Sequence, residues 1–137
     1  MAEAVAEGLR APGCEVDLFN TDEGRFDVAR FAHATQRLRG IRLARPFGSY
    51  VAGGLKQFMD DHYIADVRKG MKGLKNKPYA LFYSHGGGGR VREAMASLFS
   101  RVGTRVRDPV GSRGYPNPDV LAQCRSLGQA LAEAVLR

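Results

Sequence analysis

Cysteine is scarce in this sequence: Cys14 and Cys124 are the only two in 137 residues. They lie far apart, with no Cys-x-x-Cys pair and no Cys/His ligand spacing, so neither a disulfide framework nor a zinc site is indicated and both read as reduced thiols. His33 and His62 also lack ligand-like spacing and read as surface residues. Long apolar runs are missing too. No stretch approaches the roughly 18 to 20 apolar residues that cross a bilayer, and the N-terminus lacks the basic-then-apolar layout of a signal peptide. A cytoplasmic protein with no membrane segment is the expectation. There is no Gly-x-Ser-x-Gly nucleophile elbow, which removes the esterases despite a His85-Gly86-Gly87-Gly88 run. The chain has no Gly-Lys-Ser/Thr phosphate loop and no Gly-x-Gly-x-x-Gly after a first strand, which removes two nucleotide-binding classes. No internal repeat or low-complexity segment is visible.

What is present is an ordinary globular composition, 44% hydrophobic and 26% charged, in a length that suits one domain spanning residues 1–137. Basic residues exceed acidic ones, 21 to 14, for a formal charge of +7. They concentrate at Arg37, Arg39, Arg42 and Arg45, from Arg68 to Lys77, and at Arg101, Arg105, Arg107 and Arg113. Such an excess attracts anions, nucleic acid or an acidic protein. No nucleic-acid-binding motif accompanies it, so a solvated surface is the preferred reading.

Met1, Ala4, Val5, Gly8 and Leu9 recur at helical spacing, and Pro12-Gly13 ends that helix. Glu15 to Phe19 alternates as a half-exposed outer strand does. A poorly patterned helix over Arg25 to Leu38 leads to a short strand, Gly40 to Ala44. Leu55, Phe58 and Met59 place a helix starting near Gly53, with Tyr63 to Lys77 as an exposed helical turn plus loop. Tyr79 to Tyr83 is a continuous apolar run between Pro78 and a glycine cluster, the pattern of a strand buried on both faces. Val91, Ala94, Met95 and Leu98 mark the next helix, and Thr104 to Val110 an outer strand. The closing helix carries Val120, Leu121, Cys124, Leu127, Leu131 and Val135, with Asn117-Pro118-Asp119 as its start signal. Alternating strands and helices argue for an α/β protein with an open, mainly parallel sheet and helices on both faces. Ligands of such sheets bind outside the carboxyl ends of the strands, so the loops of interest are Arg45 to Ala52, Ser84 to Arg90 and Gly111 to Asn117.

Ser84-His85-Gly86-Gly87-Gly88-Gly89-Arg90 follows the buried strand and precedes a helix. Successive glycines let the backbone approach a ligand, and free N–H groups at a helix start suit an anionic or carbonyl-rich one. The alternative is a mobile glycine linker, against which the position straight after a core strand argues. The other loop, with the residues after it, Pro46-Phe47-Gly48-Ser49-Tyr50-Val51-Ala52-Gly53-Gly54-Leu55-Lys56-Gln57-Phe58-Met59-Asp60, resembles the second flavin-contacting loop and following helix of flavodoxins. Lys77 to Gly89 is similar to that family's strand and third flavin loop, at the expected separation. Met1 to Leu9 and Cys124 to Ala132 are similar to its first and last helices.

The resemblance implies a flavodoxin-like fold that binds flavin mononucleotide (FMN) noncovalently. Carried over by position, the flavin contacts are Pro46, Phe47, Gly48, Ser49 and Tyr50 from one loop and Ser84, His85, Gly86, Gly87, Gly88 and Gly89 from the other. Backbone groups around Gly48 and Gly86 would bond the ring edge, and Phe47 or Tyr50 would pack on its face. Tyr50 has helix-start packing as its alternative, and His85 could bond the ring or face water.

The sequence departs from the family in two places. The chain opens on its first helix, so the family's first strand and Ser/Thr-rich phosphate turn are expected to be lacking, which makes the fold N-terminally truncated. Such a chain should hold FMN weakly and riboflavin nearly as well. It should also be poorly stable or pair with another copy through an open sheet edge, unless its outer strand moves beside Ile41. The second departure is Ala44-Arg45, where the family places a small Gly-Ser/Thr pair before proline. Arg42 also puts a charge in a strand expected to be buried. Arg45 standing in for the phosphate site is the alternative. The function implied is electron transfer between redox partner proteins, an electron carrier with no catalytic residues of its own. Two alternatives stay open: a flavodoxin-like binding or structural module without flavin, and a flavin-dependent quinone or NAD(P)H reductase, which would usually self-assemble.

Overall fold

The computed structural model describes residues 1–18, 41–44, 53–70, 75–87 and 90–137; for 41–44, 53, 54 and 69 it describes the backbone alone. In chain order the elements are α1 (Ala2–Arg10), β1 (Ile41–Ala44), α2 (Gly53–Lys69), β2 (Tyr79–His85), α3 (Val91–Phe99), β3 (Val110–Arg113) and α4 (Pro118–Leu136). The three strands are parallel and lie in the order β1-β2-β3. Each crossover between neighbouring strands carries a helix, as parallel pairing requires.

The middle strand organises both layers. Along β2 successive side chains point to opposite faces. Tyr79, Leu81 and Tyr83 enter a cluster with Leu55 and Phe58 of α2, Val91, Met95 and Phe99 of α3, and Val102. Ala80 and Phe82 enter a second cluster with Ala4, Val5 and Leu9 of α1 and Cys124, Leu127, Leu131 and Ala132 of α4. The sheet is therefore covered on both faces, and the expectation of an α/β fold with a parallel sheet and helices on both faces holds. Burial within the second cluster pushes the Cys124 thiol pKa up.

Local chemistry explains the helix limits. Asn117 caps α4 by accepting the Val120 N–H at 2.9 Å on its side-chain oxygen, and Pro118 occupies the first turn, where its missing N–H costs nothing. Helix α2 runs to Lys69, further than its charged sequence suggested, because Leu55, Phe58, His62 and Ala65 continue one buried stripe. Gly70 ends it in the left-handed region, φ 63°, its N–H bonded to the Asp66 carbonyl at 3.0 Å. Helices α1 and α4 approach at Gly8 and Gly128. A Cβ at Gly8 would run into the Arg125 carbonyl, and one at Gly128 into the Val5 carbonyl.

Four expectations need correction. Glu15 to Leu18 forms no strand: Val16 packs against the α1/α4 cluster, and no ladder partner stands beside the segment among the described residues. Thr104 to Val110 is not a continuous strand. Tyr79 donates to Thr104 and accepts from Val106, both at 3.0 Å, around a single Tyr79–Arg105 bridge. Pro109 then offers no N–H, and regular pairing begins only at Val110. Gly111 to Arg113, expected in a loop, belongs to β3, and that loop starts at Gly114. His62, expected at the surface, is buried: its ring lies 4.2 Å from that of Phe58, and Nδ1 is 2.9 Å from the Phe58 carbonyl. His33, the Arg25 to Leu38 helix, Phe19 and the side chain of Arg42 lie outside the described residues.

Candidate functional site

Parallel pairing places the carboxyl ends of all three strands on one edge of the sheet. Ala44, the last residue of β1, pairs with Phe82; beyond it, Tyr83, Ser84 and His85 continue beside Gly111, Ser112 and Arg113 of β3. Burial falls along this stretch. Tyr79 to Tyr83 are buried, Ser84 and His85 half-buried, and Gly86 and Gly87 exposed. Ser84 and His85 are thus the end of a strand rather than part of the loop the sequence suggested. Their polar side chains are tolerated because the β3 ladder satisfies the backbone while the core recedes.

The end of β2 is held in place. The His85 carbonyl accepts the Gly114 N–H at 2.9 Å, and Gly114, at φ 70°, turns the chain away after β3. Ser112, itself buried, donates to the Gly114 carbonyl at 3.4 Å. The Tyr83 ring lies over Gly111, where an added Cβ would come within 2.7 Å of Tyr83 Cζ. The His85 ring stands 5.9 Å from that of Tyr83, inclined at 32°. Its Nδ1 is buried and has no hydrogen-bond partner among the described residues.

Gly86 and Gly87 differ from the packed glycines. A Cβ on either would meet nothing within 4 Å, and neither has a positive φ. An open backbone next to a buried, unpartnered ring nitrogen leaves hydrogen-bonding groups available to a ligand at this edge. The rim also carries exposed Arg90 at the start of α3, Arg113 at the end of β3 and Asp119 in the first turn of α4. Tyr115, 96% exposed in the loop after β3, is a rim aromatic that the sequence reading passed over. Its position between Gly114 and Pro116 directly after a strand was the available signal. Among the described residues no group of three or more His, Cys, Asp or Glu could hold a metal ion, and no helix is long and apolar enough to cross a membrane.

Of the residues singled out in the sequence, the structure places Ser84, His85, Gly86 and Gly87 together on this edge. Pro46, Phe47, Gly48, Ser49, Tyr50, Gly88 and Gly89 lie outside the described residues, as does Arg45.

As a sequence, the chain matches no protein-family model and no curated protein. As a structure, it is similar to a flavodoxin from the domain Archaea, with a TM-score of 0.76 and 23% identity over 99% of this chain and 88% of that one. It is also similar to the two-electron reduced flavodoxin of Megasphaera elsdenii, with a TM-score of 0.63 and 20% identity over 97% and 88% of the two chains. The rubredoxin oxygen:oxidoreductase of the anaerobe Desulfovibrio gigas gives a TM-score of 0.82 at 19% identity; there 98% of this chain aligns with 32% of a longer protein.

Proposed function

The chain has a flavodoxin-like fold, and on that premise we propose that it binds flavin mononucleotide noncovalently at the carboxyl edge of its sheet and carries electrons between redox partner proteins. The observation that carries this reading is the end of β2, where a held strand terminus passes into exposed Gly86 and Gly87, at each of which a Cβ would meet nothing within 4 Å among the described residues. In open parallel sheets this is the edge at which ligands bind. When bound, the flavin supplies the redox chemistry.

The protein's own part is to hold and shield. Ser84, half-buried at the strand end, offers a hydroxyl, and the backbone of Gly86 and Gly87 admits a ring edge at hydrogen-bonding distance. Gly88 and Gly89 would extend that backbone contact. Pro46, Phe47, Gly48, Ser49 and Tyr50 would supply the second wall, with an aromatic ring on the flavin face. The groups that the described part of this edge offers, the Ser84 hydroxyl and the Gly86 and Gly87 backbone, suit the polar edge of a ring. Arg90, exposed at the start of α3, and Arg113, exposed at the end of β3, are described cations on this edge that could meet a phosphate.

The test is direct. The purified chain is titrated with FMN and with riboflavin, following quenching of flavin fluorescence and the visible spectrum. Binding of both, with little preference for the phosphorylated form, supports the reading. A strong preference for FMN would assign a phosphate role to Arg45 or Arg90. Failure to bind either would leave a flavodoxin-like module that does not use flavin. Turnover with a nicotinamide donor and a quinone would move the reading from electron carrier to reductase. Self-association through the β1 edge is a further proposal, since no described strand pairs with its outer side; sedimentation would report it.

A further inference from the structure

Among the described residues at the end of β2, one buried side-chain atom stands without a partner. The His85 carbonyl is bonded to Gly114, and the Ser112 hydroxyl is bonded within its own turn. His85 Nδ1 is buried without a partner among the described residues. A buried ring nitrogen in that condition is costly, and native structures supply such atoms with a protein, water or ligand partner. The backbone that carries the ring is held in place. The main chain of His85 is in the β3 ladder opposite Arg113, and the Tyr83 ring flanks that of His85 on the same face of the sheet. Directly after it the chain becomes Gly86-Gly87, with no side chain to supply the missing bond.

We propose that His85 Nδ1 is the side-chain hydrogen-bonding group that reads the polar edge of a planar heteroaromatic ligand bound at this site. The inference rests on the flavin reading for the identity of that ligand. Imidazole suits the task because Nδ1 donates in one tautomer and accepts in the other, so one side chain can match either an N–H or a carbonyl or ring nitrogen of the ligand edge. His85 then acts as a residue that selects and orients the ring, in addition to the backbone contacts of the glycine loop.

The experiment uses the whole chain and riboflavin as the probe, which removes any contribution from phosphate. His85→Asn places an amide group at the level of Nδ1, His85→Gln places one at the level of Nε2, and His85→Phe keeps a ring with no nitrogen. The expected result is a loss of about tenfold in riboflavin affinity for the Phe and Gln variants, the size of one net hydrogen bond, with most of it recovered in the Asn variant. In the unsubstituted chain, the nitrogen NMR signal of His85 Nδ1 should shift on adding riboflavin while that of His62 stays in place. Circular dichroism checks that each variant folds, and because the Asn and Gln comparison does not need the Phe variant, a misfolded Phe chain leaves the result decisive. If riboflavin binds but the Asn and Gln variants bind it alike, or the Nδ1 signal does not move, this inference is overturned and the flavin reading stands. If the unsubstituted chain binds neither riboflavin nor FMN, both are overturned.

Discussion

The crossing of α1 over α4 offers the sharpest test of the packing argument. In an α-helix each Cα–Cβ bond tilts toward the N-terminus, so a side chain at a helix crossing covers the turn before its own residue. Gly8 faces the Arg125 carbonyl, three residues before Gly128, and Gly128 faces the Val5 carbonyl, three residues before Gly8. The two contacts are reciprocal, and Gly128 would also bring a Cβ within 3.1 Å of Gly8 Cα. Because the obstructing atoms are main chain, no rotamer change relieves the clash, and the helices must separate. Gly128→Ala gains about 0.5 to 1 kcal/mol in helix propensity. Against this stands an overpacking cost of about 1 to 3 kcal/mol, at its upper end for rigid neighbours, plus weakened contact across the Val5, Leu9, Cys124 and Leu127 cluster. A net loss of about 2 kcal/mol lowers the Tm by roughly 7 °C for a chain of this length. Thermal and urea unfolding followed by circular dichroism would measure it. The double variant Gly8→Ala/Gly128→Ala should lose less than the sum of the singles, since separating the helices once accommodates both methyl groups. A Gly128→Ala chain as stable as the parent, or more so, would show that the close approach of α1 and α4 is wrong.

Other substitutions test other parts of the structure. Asn117→Ala removes the side-chain acceptor of the Val120 N–H and should cost about 1 kcal/mol, or roughly 3 to 4 °C in Tm, while Asn117→Ser keeps most of it. Desolvation by burial holds the His62 pKa below its ordinary 6.5, so between the two values the unfolded chain binds a proton that the folded chain refuses. Its contribution is full above about pH 6.5 and is lost as pH falls from there through the lowered folded value; the urea midpoint should drop more between about pH 8 and about pH 5 in the parent than in His62→Phe, and equal drops would refute this. Gly86→Ala and Gly87→Ala should leave Tm unchanged or raise it slightly, by about 0.4 to 1 kcal/mol of stability, yet weaken flavin binding, a combination that a purely structural glycine would not show.

Much of the architecture was legible because its signals are local. The apolar run Tyr79 to Tyr83 between Pro78 and the glycines has the pattern of a buried strand, and Asn117-Pro118-Asp119 carries a helix start in three residues. What escaped depended on neighbours distant in sequence. Ser84 and His85 look like loop residues, but Ser112 and Arg113 extend the ladder to them from the other side. Glu15 to Leu18 alternates correctly for a strand, yet alternation supplies no hydrogen-bond partner. His62 looks polar, and it is buried because the Phe58 ring and carbonyl receive it four residues away on the same helix face. At the candidate site the sequence indicated the loop and its glycines, while the orientation of the His85 ring and the Tyr83 cover over Gly111 emerged only with the strand register.

The glycines whose surroundings the structure describes divide into those its own fold requires and those it does not, and the division bears on function. Gly8, Gly128, Gly103 and Gly111 are each required by the protein's own packing, because a Cβ would enter the main chain or, at Gly111, the Tyr83 ring. Gly13, Gly70 and Gly114 are required by a left-handed backbone. Gly86 and Gly87 answer to neither demand: their space is open and their φ values suit any residue. Glycine in such a place carries an entropic cost, because it enlarges the conformational freedom that folding must remove. On the flavin reading, the offset comes from a ligand that approaches the backbone more closely than a Cβ would permit. The carboxyl edge of a parallel sheet, beside an imidazole nitrogen still without a partner, is where a ligand would supply it.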